Sequence, residues 1–238
     1  MWLLIFYQIF GGFSTPILFS IRFFLSNSRY LRSAPWIWKI YIILILFTLR
    51  IEWIKNVKKI WSFCAGWSIN YGKMQAIGIK PPRLIKVANQ NLGKVIYVKE
   101  ENEESKILNY CCHELTHTYV AYLKLPQWFN EGLAMVMVDK LLNKSTVRED
   151  TLTIVEQSQN KEIPTKNLSE DDWILLYARG YWRTRFIIES QPDLLKSILS
   201  KRYEKQEFEK LIAAAYEKEN SDFGKEIDQM LLLYFKQK

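Results

Sequence analysis

Histidine is almost absent from this chain: there are two in 238 residues, against 13 Tyr, 13 Phe and nine Trp. Cysteine is nearly as scarce, and Cys64, Cys111 and Cys112 form an odd set with no C-x-x-C spacing. That excludes a disulfide framework, and with it the small zinc modules built on paired cysteines. There is no internal repeat and no low-complexity tract, so solenoid and fibrous architectures are excluded too. Residues 1 to 21 carry no charge and lack both a basic leader and a small-residue cleavage site, which argues against a cleaved signal peptide. Acidic groups are nearly missing from the N-terminal quarter. Residues 1 to 62 hold eight Lys/Arg and one acid, Glu52, a net +7 of the chain's +8, leaving 25 basic and 24 acidic groups beyond. No nucleic-acid module accompanies that charge, which is interleaved with apolar runs; the pattern suits lipid and not nucleic acid.

What is present divides into two parts. Residues 1 to 60 read as an apolar, basic and helical segment and residues 61 to 238 as one domain, and a hydrophobic fraction of 49% over the whole chain allows a sizeable core. Within the first part, Ala34 to Leu49 holds only Lys39, and Trp36, Trp38, Tyr41, Trp53 and Trp61 lie near Lys55, Lys58 and Lys59. Aromatics beside cations are the residues of a membrane interface, so the expectation is a retained anchor or interfacial helices contacting membrane lipid. The competing reading of Ala34 to Leu49 is a buried helix of the soluble domain. Basic residues both between and after the apolar runs leave the side of the membrane open.

Both histidines occur in one pentapeptide, His113-Glu114-Leu115-Thr116-His117. Two randomly placed histidines would fall four apart with Glu after the first in roughly one chain per thousand. On a helix, residues four apart share a face, so two imidazoles can reach one ion, and Zn2+ suits them. Glu114 points away from that pair, badly placed as a ligand but within reach of a water at the metal, the position of a general base. Ile107, Cys111, Cys112, Leu115 and Tyr119 make this helix apolar around most of its girth, which puts the polar group inside the domain. Buried imidazoles and a carboxylate are costly unless something satisfies them, and a metal does so. Cys111 and Cys112, about 100° apart, read as small core residues.

A catalytic zinc needs a third protein ligand. With no third histidine, the choice narrows to carboxylate or cysteine, and the metzincin pattern is excluded. Glu131, in Leu125-Pro126-Gln127-Trp128-Phe129-Asn130-Glu131-Gly132-Leu133-Ala134, is the best placed. A helix climbing about 9 Å from His117 to Leu123, then returning about 7.5 Å from Pro126, brings Glu131 back to the height of the histidines. Pro126 can open such a helix but not continue the previous one.

H-E-L-T-H followed by L-P-x-W-F-N-E-G-L-A resembles the gluzincins, zinc peptidases whose third ligand is a Glu and which include aminopeptidase N and thermolysin. The resemblance implies His113, His117 and Glu131 as Zn2+ ligands, Glu114 as the base, and a peptide or protein substrate. It implies an α+β fold, a small mixed sheet followed by a mostly helical zincin-like domain, here with the apolar N-terminal helical segment in front. Thirteen residues separate His117 from Glu131, fewer than in the large enzymes, and Met135 stands where thermolysin-like enzymes carry an Asp that orients a histidine. Tyr177-Ala178-Arg179-Gly180-Tyr181 is similar to a Tyr-x-x-Gly helix near the metal, which makes Tyr177, and after it Tyr181, candidate donors to the oxyanion.

Arg83 to Val87 and Lys94 to Val98 read as strands around the turn-rich Asn89 to Gly93, and by the same resemblance Lys94 to Val98 is the edge that pairs with substrate. Asn102 reads as a helix cap, Ser169-Glu170-Asp171-Asp172 as a helix-start box, and Pro192 and Ser221 as starts of later amphipathic helices. Arg179, Arg183 and Arg185 read as surface charge before carboxylate binders. A second functional class stays open, a membrane-attached binding protein keeping zinc for structure, with Cys64 as the fourth ligand that would close the site.

Overall fold

A computed structural model describes residues 41–46, 65–71, 74–79, 92–100, 102–159, 161–217 and 223–238. Three strands form one small mixed sheet: β1 (Tyr41–Leu46), β2 (Gly66–Tyr71) and β3 (Met74–Ile79), in the order β1-β3-β2. β2 runs antiparallel to β3, with Gly66 opposite Ile79 and Tyr71 opposite Met74, while β1 runs parallel to it. Trp67 faces Gly78 across the antiparallel pair, and a Cβ at Gly78 would come within 2.2 Å of the indole, so only glycine leaves room for that ring.

Eight helices make up most of the rest of the described chain. They are α1 (Leu92–Ile96), α2 (Glu103–Val120), α3 (Gln127–Leu142), α4 (Thr151–Gln157), α5 (Glu170–Ser190), α6 (Pro192–Ser200), α7 (Lys205–Ala215) and α8 (Phe223–Lys236). Local chemistry explains their limits. Asn102 caps α2 by accepting from the Glu104 amide at 2.8 Å, with Glu103 and Glu104 at the positive end of the helix. A 3-10 turn, Ala121–Leu123, and a left-handed Lys124 end that helix, and Pro126 opens α3. Ser169 and Asp172 cap α5 reciprocally, and Pro192 is in the first turn of α6.

α3 is the central element. It buries Phe129, Leu133, Ala134, Met135, Val136 and Val138, so it is apolar on more than one face and must be covered on each. α2 packs on one side of it and α5 on another. At the α3–α5 crossing the backbones touch: a Cβ on Gly132 would lie 2.0 Å from the Gly180 carbonyl oxygen, and one on Gly180 would lie 2.4 Å from that of Trp128. The sheet covers another part of α2, where Ile77 and Ile79 bury against Ile107 and Cys111.

Several expectations change. Lys94 to Val98 is not a strand: most of it lies in α1, and extended pairing is confined to a single bridge between Tyr97 and Val147. A short apolar run does not distinguish strand from helix, and here Leu92 and Ile96, four apart, face inward while Val95 and Val98 are exposed. Tyr41–Leu46, expected as part of an apolar helix, is a strand; β-branched Ile42, Ile43 and Ile45 fit a sheet at least as well. The remainder of residues 1 to 60, Cys64, Arg83 to Val87 and Ser221 lie outside the described residues. No helix among the described residues is long and apolar enough to cross a membrane.

Candidate metal centre

α2 presents His113 and His117 one turn apart, with the two Nε2 atoms 3.0 Å from each other. α3, reversed by the Lys124-Leu125-Pro126 turn, brings Glu131 opposite them. Its Oε2 lies 3.3 Å from His113 Nε2 and 3.5 Å from His117 Nε2. These three side chains form a group that could hold a metal ion. Their polar atoms are not otherwise satisfied. Glu131 Oε2 is buried without a hydrogen bond, and one proton between two imidazoles cannot satisfy three converging atoms. A cation inside the triangle satisfies all three at once, so the residues fit a metal.

Glu114 does not join the triangle. Its side chain lies on the neighbouring face of α2, 7% exposed, against the start of β2, where a Cβ on Gly66 would meet its Oε1 at 2.9 Å. Gly66 therefore lets the sheet close over this carboxylate. Burial pushes the Glu114 carboxyl pKa up; the charges of His113 and His117 oppose the rise, and that of Glu131 adds to it. The group is thus held near the triangle without joining it, with its charged form disfavoured.

The three side chains of the triangle are electrostatically coupled. Burial works against charge on His117, but the facing Glu131 carboxylate, helped by Glu114 and the Asn130 side chain, lifts its pKa to about 9. Burial also works against charge on Glu131, and the two histidines outweigh it, leaving this carboxyl well below the usual range. The metal-free protein accordingly keeps a proton on His117 that a metal must displace. Because the folded value lies above the ordinary 6.5, that proton stabilises the metal-free fold fully below pH 6.5, and the contribution is lost as pH rises through about 9. Metal affinity runs the other way. It is expected to rise by up to about tenfold per pH unit across that window and to level off above it, read by competition with a chromophoric chelator. A flat profile would contradict a protonated His117.

The remaining candidates separate. Tyr181 is 1% exposed, and its hydroxyl donates to Asp139 Oδ2 at 2.8 Å, so it is a buried strut between α5 and α3 and not an oxyanion donor. Tyr177, on the same helix, packs partly buried with its ring 6.2 Å from Trp173. Arg179 and Arg183, expected at the surface, are buried around Asp228 of α8; Arg183 Nε donates to Asp228 Oδ1 at 2.6 Å and Arg179 Nε lies 3.2 Å from Oδ2. Basic residues read as surface charge by composition here join α5 to α8. Arg185 pairs with Glu189 at 2.7 Å. Met135 is fully buried in the core. Cys111 and Cys112 are buried thiols pushed up to about 12 and about 11, chiefly by desolvation, as expected of small core residues.

One residue near the centre had no signal in the sequence: Gly66 reaches Glu114 only through the packing of sheet on helix. No family model matches the chain, and no curated protein or solved structure is similar to it.

Proposed function

We propose that this chain is a zinc-dependent peptidase of the gluzincin type, with His113, His117 and Glu131 as ligands and Glu114 as general base. The observation that carries the reading is a buried carboxylate held beside a two-histidine, one-carboxylate triangle without being part of it. The spacing suits zinc: a tetrahedral ion with bonds of about 2.0–2.1 Å places its ligand atoms about 3.3 Å apart. The triangle has edges of 3.0, 3.3 and 3.5 Å.

Zinc held there would lower the pKa of a water and polarise a carbonyl oxygen. Glu114, whose pKa is raised by burial, is suited to accept a proton from the attacking water and return it to the departing amine. β2 pairs with β3 on one side only among the described residues, and Gly66 sets this edge against Glu114. An extended peptide added to β2 would therefore run beside the base; this edge takes the substrate-pairing part expected of Lys94 to Val98. The resemblance offers Tyr177 for the oxyanion. The apolar, basic residues 1 to 60, apart from the strand Tyr41–Leu46, would hold the domain at a lipid surface.

The alternative, a membrane-attached protein that keeps zinc for structure, needs a fourth protein ligand. Among the described residues only three groups converge.

The test is digestion of a mixed peptide library by the zinc-loaded full-length protein, followed by mass spectrometry. Cleavage is expected, lost with a chelator and restored by zinc. Absence of zinc-dependent cleavage from every peptide would overturn the proposal.

A further inference from the structure

Gly66, the first residue of β2, is on the face of the sheet that covers α2. Ile79, its partner across the antiparallel pair, is on that face too, 1% exposed and packed with Ile107 and Cys111 of α2. The φ angle of Gly66 lies outside the left-handed region, so the backbone there would accept any residue. What the glycine provides is room. A Cβ at this position would stand 2.9 Å from Glu114 Oε1, 3.0 Å from its Cγ and 3.3 Å from its Cδ. Turning the carboxylate about its last bond relieves only the first of these contacts, because neither Cγ nor Cδ moves with it. A methyl group at residue 66 must therefore shift either the whole Glu114 side chain or the strand.

The strand is the harder of the two to move. Residue 67 points to the opposite face of the sheet, and there the Trp67 indole takes the space that a Cβ on Gly78 would need, 2.2 Å from its Cε2. Trp67 and Gly66 pair with the consecutive residues Gly78 and Ile79. An indole seated on one face and a buried Ile79 on the other thus pin β2 and β3 at this register, and Ile77 is buried against the same helix. Glu114 is a flexible side chain and is the part that yields. Its carboxylate is the group on which the proposed proton transfer depends, and a misplacement of about 1 Å can cost about 10²-fold in rate.

We propose that Gly66 is the positioning residue for Glu114: its bare α-carbon is the wall of the seat between β2 and α2 that holds the carboxylate beside the metal triangle. The inference rests on the peptidase reading and deepens it, making the sheet part of the site.

The test is a double-mutant cycle on the zinc-loaded full-length protein, read by initial rates on a peptide the parent cleaves and by melting temperature. Gly66→Ala is expected to lower kcat by about 10²-fold. KM and zinc stoichiometry should stay parental, since the methyl points at α2 and not along the free edge of β2. The melting temperature should fall by roughly 2–6 °C, the effect of modest overpacking in a chain of this size. Glu114→Asp shortens the side chain by one methylene and lowers kcat on its own account. In that background the methyl has room, so Gly66→Ala should change kcat by less than about threefold and leave the melting temperature where Glu114→Asp puts it. A glycine needed only by the strand would cost the same in both backgrounds. Should Gly66→Ala alone fail to fold, the double variant decides: recovery of folded, zinc-binding protein supports the contact, and a second failure overturns it. Parental kcat in Gly66→Ala, a change in KM alone, or equal costs in both backgrounds would also overturn the assignment, with the peptidase reading left standing. If the parent cleaves no peptide, that reading falls, and the thermal half of the cycle still decides whether Gly66 seats Glu114.

Discussion

Glu114→Gln is expected to leave zinc content at the parental level and to lower zinc-dependent peptide hydrolysis by about 10³-fold, within the range for loss of a general base. The substitution keeps volume and shape, which matters because the Glu114 side chain fills the space that Gly66 leaves open. It removes the ability to take and return a proton and leaves His113, His117 and Glu131 as they are. The thermal effect should have the opposite sign to the catalytic one. Burial disfavours the Glu114 charge, so a neutral amide of the same size removes an unfavourable group, and the melting temperature should be equal or higher. Metal analysis, calorimetry and turnover on one preparation separate these effects. Loss of activity together with loss of zinc would instead make Glu114 part of the ligand set, and undiminished turnover would remove it from the mechanism.

Gly132→Ala is expected to lower the melting temperature by roughly 6–12 °C and metal affinity by about 10- to 100-fold. In the interior of an ordinary helix this change stabilises by about 1 kcal/mol, so the sign alone is informative. Here the added Cβ would lie 2.0 Å from the Gly180 carbonyl oxygen and 2.4 Å from both the Gly180 carbonyl carbon and Thr184 Oγ1. Two of those atoms are backbone and cannot swing aside, so α3 and α5 must part. Overpacking of this kind costs about 3 kcal/mol at the upper end of its usual range, and 2–4 °C per kcal/mol for a chain of this size gives the thermal figure. The metal follows because Glu131 is the adjacent residue. A shift of about 0.5 Å in α3 moves its carboxylate relative to imidazoles carried on a different helix. Parental stability and affinity in Gly132→Ala would show that the glycine crossing does not place Glu131.

Residues that act through local chemistry are legible in the chain itself. The i, i+4 histidines need only helix geometry, Pro126 marks where the chain turns back, and Ser169 with Asp172 marks a helix start that is capped as expected. Glu131 follows from the rise of two antiparallel helices, and its oxygen is within 3.5 Å of both imidazoles. Lys94 to Val98 misleads because five residues rich in apolar side chains fit either period, and the choice is made by what Ile96 can bury against. Arg179 and Arg183 mislead because a charged residue is exposed on average, and nothing nearby in the chain announces that Asp228 will meet them from α8.

The dividing line is distance along the chain. Neighbouring residues suffice for the histidine pair, the reversal after α2 and the helical character of the C-terminal two thirds, since each depends on groups within a few turns of one another. Long-range packing alone sets β2 as the edge lying on Glu114, bonds Tyr181 to Asp139, and makes α3 and α5 meet glycine to glycine. Those are contacts between elements far apart in sequence, set by which surfaces must be covered together, and no local period or cap encodes them.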